Sequence, residues 1–260
     1  CSSAVEGAQV MIALDTTAFY AESGGQVGDS GVIESDNATC LITRTFKNAD
    51  NVFIHEGKVV SGKISVGDKV KARVDVQERK SIMRNHTAAH LLQHALRQVL
   101  GTHVEQAGQL VTAKSVRFDF THFSAMTADE LSQVEALVNE YILAADAVTM
   151  TEMPIEEAKK LGAMALFGEK YGDTVRVVKA SNSIELCGGT HIDNTSKLGL
   201  FHIISEGSVA SGVRRIEAVT GQGVLDFLNI QKGVIDKVMK SLKLGSAIEI
   251  QAKIEQNISD

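Results

Sequence analysis

The first 76 residues alternate apolar and polar positions or run apolar in short bursts, as in QVMIAL (9–14) and KVKARVD (69–75). Gly24, Gly25, Gly28, Gly31, Gly57, Gly62 and Gly67 interrupt these bursts at short intervals. Short strands with frequent turns predict a small N-terminal β-barrel over residues 1–76. From Glu78 the period becomes helical. In ERKSIMRNHTAAHLLQHALRQVLG, Ile82, Ala89, Leu92, Leu96 and Val99 share one side, and Gly101 is a stop signal. Two strands follow; in SVRFDF, Val116, Phe118 and Phe120 alternate with Arg117 and Asp119. Thr127 stands three before Glu130, the pattern of a capping box, and the helix it opens has the stripe Leu131, Val134, Val138, Tyr141 and Ile142. AVTMTEM reads as a strand, PIEEAKKL as a short helix with Pro154 in its first turn, and TVRVVKA, SIEL and LFHIISEGSVASGVRRIEAVTG as further strands. Residues 77–222 therefore form one α+β domain. From residue 223 to the end the pattern is helical, with Val224, Leu228, Gln231, Ile235, Val238 and Leu242 at alternating spacings of four and three. That is a short coiled-coil seam, expected to lead away from the domain.

Composition narrows the class without naming a chemistry. Of 260 residues, 44% are hydrophobic, enough for a substantial core, and the net charge of −6 opposes non-specific coating of nucleic acid while allowing a local basic groove. Cys1, Cys40 and Cys187 are far apart in sequence, and no apolar run approaches the ~18 residues of a membrane span, so a reducing cytoplasmic setting is expected. The chain has no initiator Met and ends in a helical pattern with no stop, which suggests a piece of a longer protein.

The candidate chemistry lies in two places about 100 residues apart. His86 and His90 are four apart on the predicted helix, so they share a face beside the apolar stripe, while His94 falls farthest from that stripe and is expected at solvent. Cys187 and His191 bracket Gly188 and Gly189 in ELCGGTHIDN, where two glycines allow a tight reversal. Three imidazoles and one thiolate are a mixed N/S set that suits tetrahedral zinc (Zn2+). The helix reads His86-Thr87-Ala88-Ala89-His90, so the glutamate that serves as base in zinc proteases of the HEXXH type is missing between the histidines. Arg79, Lys80, Arg84 and Arg97 add positive charge near the histidines and would either steer an RNA end or solvate that face. Arg214 and Arg215 are adjacent in a strand and face opposite sides, fit to bind a phosphate and a carboxylate, or only to hold structure.

HTAAHLL (86–92) and CGGTH (187–191) resemble the editing domain of alanyl-tRNA synthetases, shared with freestanding alanyl-tRNA editing proteins and, more distantly, threonyl-tRNA synthetase. TAFYAESGGQVGDSG (17–31), RFDF, FGEKYGDTVRVV and GVRRIEAVTG extend the likeness over about residues 10 to 222. The resemblance implies an N-terminal barrel, a zinc-containing editing domain and a helical extension toward a further domain. It implies hydrolysis of the ester that joins serine or glycine to tRNA(Ala), with the mischarged 3′ end as partner. By the same resemblance His86, His90, Cys187 and His191 hold zinc, Gln106 belongs to the editing pocket, and the loop Ser23, Gly24, Gly25 and Gln26 approaches it. An aminoacylation core before residue 1 and an oligomerisation and tRNA-binding domain after residue 260 would complete such an enzyme.

The physical need for a second site is clear: an apolar synthesis pocket rejects an added hydroxyl poorly, whereas a polar group that bonds the hydroxyl favours serine over alanine. The role of zinc stays open at this level. Three ligands leave a position for water, whose pKa falls toward ~7; four close the site and make the ion an organiser of helix and turn. The sequence also accommodates a freestanding deacylase, a zinc hydrolase of small molecules, or a zinc-stabilised RNA-binding module without catalysis.

Overall fold

In the computed structural model, residues 2–164 and 172–259 are described; Cys1 and most of FGEKYGD lie outside them. The chain opens with β1 (Ser3–Val5), β2 (Gln9–Ile12), β3 (Gly31–Glu34), β4 (Ala38–Lys47), β5 (Phe53–Ser65) and β6 (Lys71–Val74). These form one antiparallel sheet in the order β1-β5-β4-β3-β6, with β2 also on β5. Cys40, Ile33, Ile42 and Val59 are fully buried on one face, with Phe19 beside them. The expected barrel is corrected here: the sheet is open. β5 is thirteen residues long and takes β2 along His55–Lys58 and β1 along Lys63–Ser65, whereas β6 pairs only with β3. Alternation specifies which face is buried, but closure requires a strand stagger that alternation does not encode.

Asp75 caps the next helix, α1 (Val76–Leu100), by accepting from the Gln77 and Glu78 amides, so the helix starts two residues before the expected Glu78. Gly101, at φ 113°, ends it. Then follow β7 (Gln106–Val111), β8 (Val116–Thr121), α2 (Ala128–Leu143), β9 (Val148–Pro154), α3 (Ile155–Lys160), β10 (Thr174–Ala180), β11 (Ser183–Leu186), β12 (Phe201–Ala210), β13 (Val213–Thr220), α4 (Gln222–Leu242) and α5 (Ile250–Ser259). The Thr127–Glu130 capping box is formed at the start of α2. A four-stranded sheet has the order β12-β13-β8-β7, and a three-stranded one β11-β10-β9. α1 runs through the main core, where Ile82, Leu91, Leu92 and Leu96 are fully buried with Phe118 and Phe120 of β8.

Two further expectations are corrected. The helical pattern after Gly223 is not one helix: Lys243 is left-handed (φ 52°), Ser246 caps a short 3₁₀ turn, and α5 begins anew. His94 is only partly exposed; its ring packs 5.6 Å from that of Tyr141, and burial lowers its pKa. No helix among the described residues is long and apolar enough to cross a membrane.

Candidate metal centre

α1 presents His86 and His90 one turn apart, and β11 delivers the chain into the Cys187–His191 turn directly against them. Their four donor atoms all lie within 4.8 Å of one another. Cys187 Sγ is 3.5 Å from His86 Nε2 and 3.3 Å from His191 Nε2. A tetrahedral ion bonded at ~2.0–2.1 Å to nitrogen and ~2.3 Å to sulfur has N···S edges of about 3.5 Å. The side chains thus form a group able to hold a metal ion.

The outer nitrogens support that reading. Gln26 Oε1 accepts from His86 Nδ1 at 2.7 Å. Thr87 donates its hydroxyl to the Met83 carbonyl, so its oxygen accepts from His191 Nδ1 at 3.1 Å. Both Nε2 lone pairs then face the centre. His90 is reversed: its Nε2 lies 3.6 Å from the Glu185 carboxylate, and its Nδ1 is buried with no hydrogen-bond partner. An orphaned imidazole nitrogen is costly in a protein interior unless a metal takes its lone pair. Burial, then the Arg176 charge, lowers the His86 pKa to about 3. Burial first and neighbouring positive charge second hold His90 and His191 well below the usual range. All three are kept neutral, the form that binds metal.

No glutamate stands between His86 and His90 in sequence, but the fold supplies one from β11. Glu185 is buried, accepts from Ser183 Oγ at 2.6 Å, and burial raises its pKa to about 8.

The N-terminal sheet contributes through the Ser23–Gln26 turn. Gly24 and Gly25 have φ of 58° and 80°, a region costly for other residues, and a Cβ on Gly25 would sit 2.4 Å from the Gln109 carbonyl. The turn is stitched to β7 where Val111 N donates to Gly25 O at 2.7 Å and Val27 N to Val111 O at 3.1 Å. Gln26, fully buried, also accepts from Thr190 N and donates to Thr190 Oγ1, both at 2.9 Å. Gln26 therefore bonds directly to His86 and to the Cys187–His191 turn, and Ser23, Gly24 and Gly25 form the turn that carries it.

Gln106 is placed differently. It lies opposite Phe120 on β7, partly buried, with its Nε2 lacking a partner and with no hydrogen bond to the four donor residues. The amide at the centre is that of Gln109, whose Nε2 donates to Gly24 O at 2.8 Å and lies 3.4 Å from His86 Nε2. A register shift between Gln106 and Gly108 leaves both glutamines opposite phenylalanines of β8, on one face of an edge strand. Nothing in the local sequence marks that bulge except Gly108. Arg176 is a second residue that sequence reasoning missed. Its Nη1 donates to Cys187 O at 2.8 Å and Gly189 O at 2.7 Å. Tyr20 donates its hydroxyl to Ser23 O, and burial, then the Cys187 thiolate, pushes its pKa up to about 12.

The candidate RNA-binding arginines make the following contacts within the chain. Arg214 grips Glu206 through two bonds of 2.5 and 2.8 Å, and Arg215 grips Asp119 at 2.6 and 2.7 Å. Both are thus carboxylate partners within the sheet. Arg84 donates to Ser81 Oγ, and Arg79 is bound to the buried Asp29, two residues before β3.

The family described as tRNA synthetases class II (A) matches residues 1–78, and the threonyl and alanyl tRNA synthetase second additional domain matches residues 175–217. The second match contains Arg176, Glu185, Cys187 and His191. The alanine–tRNA ligase of Clostridioides difficile is 54% identical over 242 residues, 93% of this chain and 28% of its own length. Those of Bacillus subtilis and Acetivibrio thermocellus are 52% and 50% identical over 239 and 258 residues, covering 92% and 99% of this chain and 27% and 29% of theirs. The chain belongs to the alanyl-tRNA synthetase family. It spans a little over a quarter of the length of the curated relatives it matches. In this chain, the segment matched by the second additional domain carries Cys187 and His191, and α1 carries His86 and His90.

Proposed function

We propose that this segment of the alanyl-tRNA synthetase family is an editing deacylase that hydrolyses the ester of mischarged tRNA(Ala) carrying serine or glycine, in the cytoplasm. The observation that carries the reading is the meeting of four metal donors from α1 and the Cys187–His191 turn, with the Ser23–Gln26 loop against them. We assign the ion as zinc, held by His86, His90, Cys187 and His191, because a thiolate with three neutral imidazoles in a compact set suits it. When bound, zinc supplies a Lewis acid and ties helix to turn.

The remaining work falls to side chains. Gln26 and Thr87 fix the tautomers of His86 and His191, and Glu185 faces the outer nitrogen of His90. Gln109 offers an amide beside His86, and Gln106 lies farther along the same edge strand with an unpaired donor. An amide both donates and accepts, so it can bond a serine hydroxyl that alanine lacks. Tyr20, its pKa pushed up to about 12 first by burial, stays a neutral phenol. In domain terms, the open sheet of 1–76 covers one side of the editing domain of 77–222, and 223–260 extends from it. The rest of the synthetase is the proposed partner on the same chain.

The test is hydrolysis of the serine, glycine and alanine esters of tRNA(Ala) by the zinc-loaded chain. Release of serine and glycine with alanine spared is expected. Tight tRNA binding without deacylation, or equal hydrolysis of small esters lacking RNA, would replace the proposal with an RNA-binding module or a small-molecule hydrolase.

A further inference from the structure

We propose that Arg176 is an anion receptor at the mouth of the centre, and that its anion is the phosphodiester of the RNA's terminal nucleotide. This rests on the deacylase reading for the identity of the RNA.

Arg176 differs from Arg79, Arg214 and Arg215 in what it holds, and from Arg84, Arg97 and Arg117, which also lack a carboxylate among the described residues, in being bonded to the metal turn. Arg79, Arg214 and Arg215 each hold a carboxylate, whereas Arg176 has none within ion-pair distance among the described residues. Its Nη1 is committed to the carbonyls of Cys187 and Gly189, which fixes the plane of the guanidinium on the metal turn. Nε and Nη2 have no acceptor among the described residues and remain for a ligand. A guanidinium presents parallel donors in a fork that matches a phosphate, and holding one corner of it in advance reduces the ordering cost of binding.

Charge makes the same point. Arg176 lies close enough to the centre to depress all three histidines, and to act on Tyr20 as well. Among the described residues, the charged groups around it are the Cys187 thiolate, Glu152 directly opposite on β9 and, behind His90, Glu185. Holding the turn needs only a neutral donor, such as an amide. A full cation there works against the metal unless an anion joins them. The aminoacyl group brings an ammonium and a neutral ester. The nearest anion that the RNA end offers is the phosphodiester of its last nucleotide.

The experiment compares two single-stranded RNAs ending in CCA, one natural and one whose last phosphodiester is a neutral methylphosphonate, for binding to the zinc-loaded chain. Wild type should prefer the natural RNA by about tenfold or more, as expected for a charge-assisted bond. Arg176→Gln should bind both at the level of the methylphosphonate RNA, and Arg176→Lys should keep part of the preference. In deacylation the Gln variant should raise KM with kcat little changed. No preference in wild type, or an equal loss on both RNAs in the Gln variant, overturns the proposal; so does a fall in kcat alone. If the Gln variant loses zinc, the wild-type preference and the Lys variant decide. A wild type that prefers the charged RNA yet deacylates nothing would refute the deacylase reading and leave Arg176 as the receptor.

Discussion

Gly189 is the position where one methyl group should do the most damage. Its backbone is not left-handed, so alanine is conformationally acceptable, but a Cβ would lie 2.0 Å from His86 Cε1, 2.3 Å from His86 Nδ1 and 2.9 Å from Gln26 Oε1. Ordinary contact begins at 3.4 Å, so the His86 ring must retreat by about 1.4 Å. Metal–ligand bonds tolerate only about 0.2 Å. Overpacking of this kind costs about 1–3 kcal/mol. The retreat also breaks the 2.7 Å bond from His86 to Gln26, worth about 1 kcal/mol. Together these predict that Gly189→Ala weakens zinc binding by about thirtyfold to a thousandfold. Gly188→Ala is the control, because its Cβ meets nothing within 4 Å. The assay is competition for zinc against a chromogenic chelator, with circular dichroism to check the fold and deacylation as a second readout. If Gly189→Ala binds zinc within threefold of wild type, or if Gly188→Ala falls as far, the packing argument is wrong.

Cys187→Ala should reduce zinc from one ion per chain to a small fraction and slow editing, since it removes the only anionic donor of the four; unchanged metal content on elemental analysis would refute the site. Gln109→Ala should slow hydrolysis of both esters by roughly threefold to tenfold, the worth of one neutral hydrogen bond. Gln106→Ala should lower the serine-to-glycine rate ratio, and an unchanged ratio would remove Gln106 from selectivity. His55 is fully buried in the N-terminal sheet, bonded to the Ile12 carbonyl and the Thr17 hydroxyl, and burial lowers its pKa. The unfolded chain therefore binds the proton more readily, so this contribution to stability is complete above about pH 6.5 and is lost as pH falls below it. Urea midpoints at about pH 7.5 and about pH 5 should show a smaller acid loss for His55→Gln than for wild type; equal losses would count against a buried neutral imidazole.

Much of the chemistry was legible before any coordinates. The four-residue spacing of His86 and His90 is a property of any α-helix, and paired glycines after Cys187 announce a tight turn, so the two halves of the donor set could be read from periodicity and composition. What the sequence could not encode locally was everything set by approach across the chain. Glu185 is one residue of an ordinary strand until β11 packs against α1. Gln109 displaces Gln106 at the centre because of a one-residue bulge in β7 and the docking of Gly25 on its edge. Arg176 sits in an alternating strand, yet two carbonyls of the metal turn hold it. Arg214 and Arg215, so suggestive as neighbours, are consumed by carboxylates on adjacent strands. Closure of the N-terminal sheet was likewise undecidable, because alternation has the same period in an open sheet and in a barrel. Local pattern reports how a segment satisfies its own backbone and which face it hides. Which polar groups then meet, and which are neutralised by one another, depends on long-range packing, and there only the tertiary structure decides.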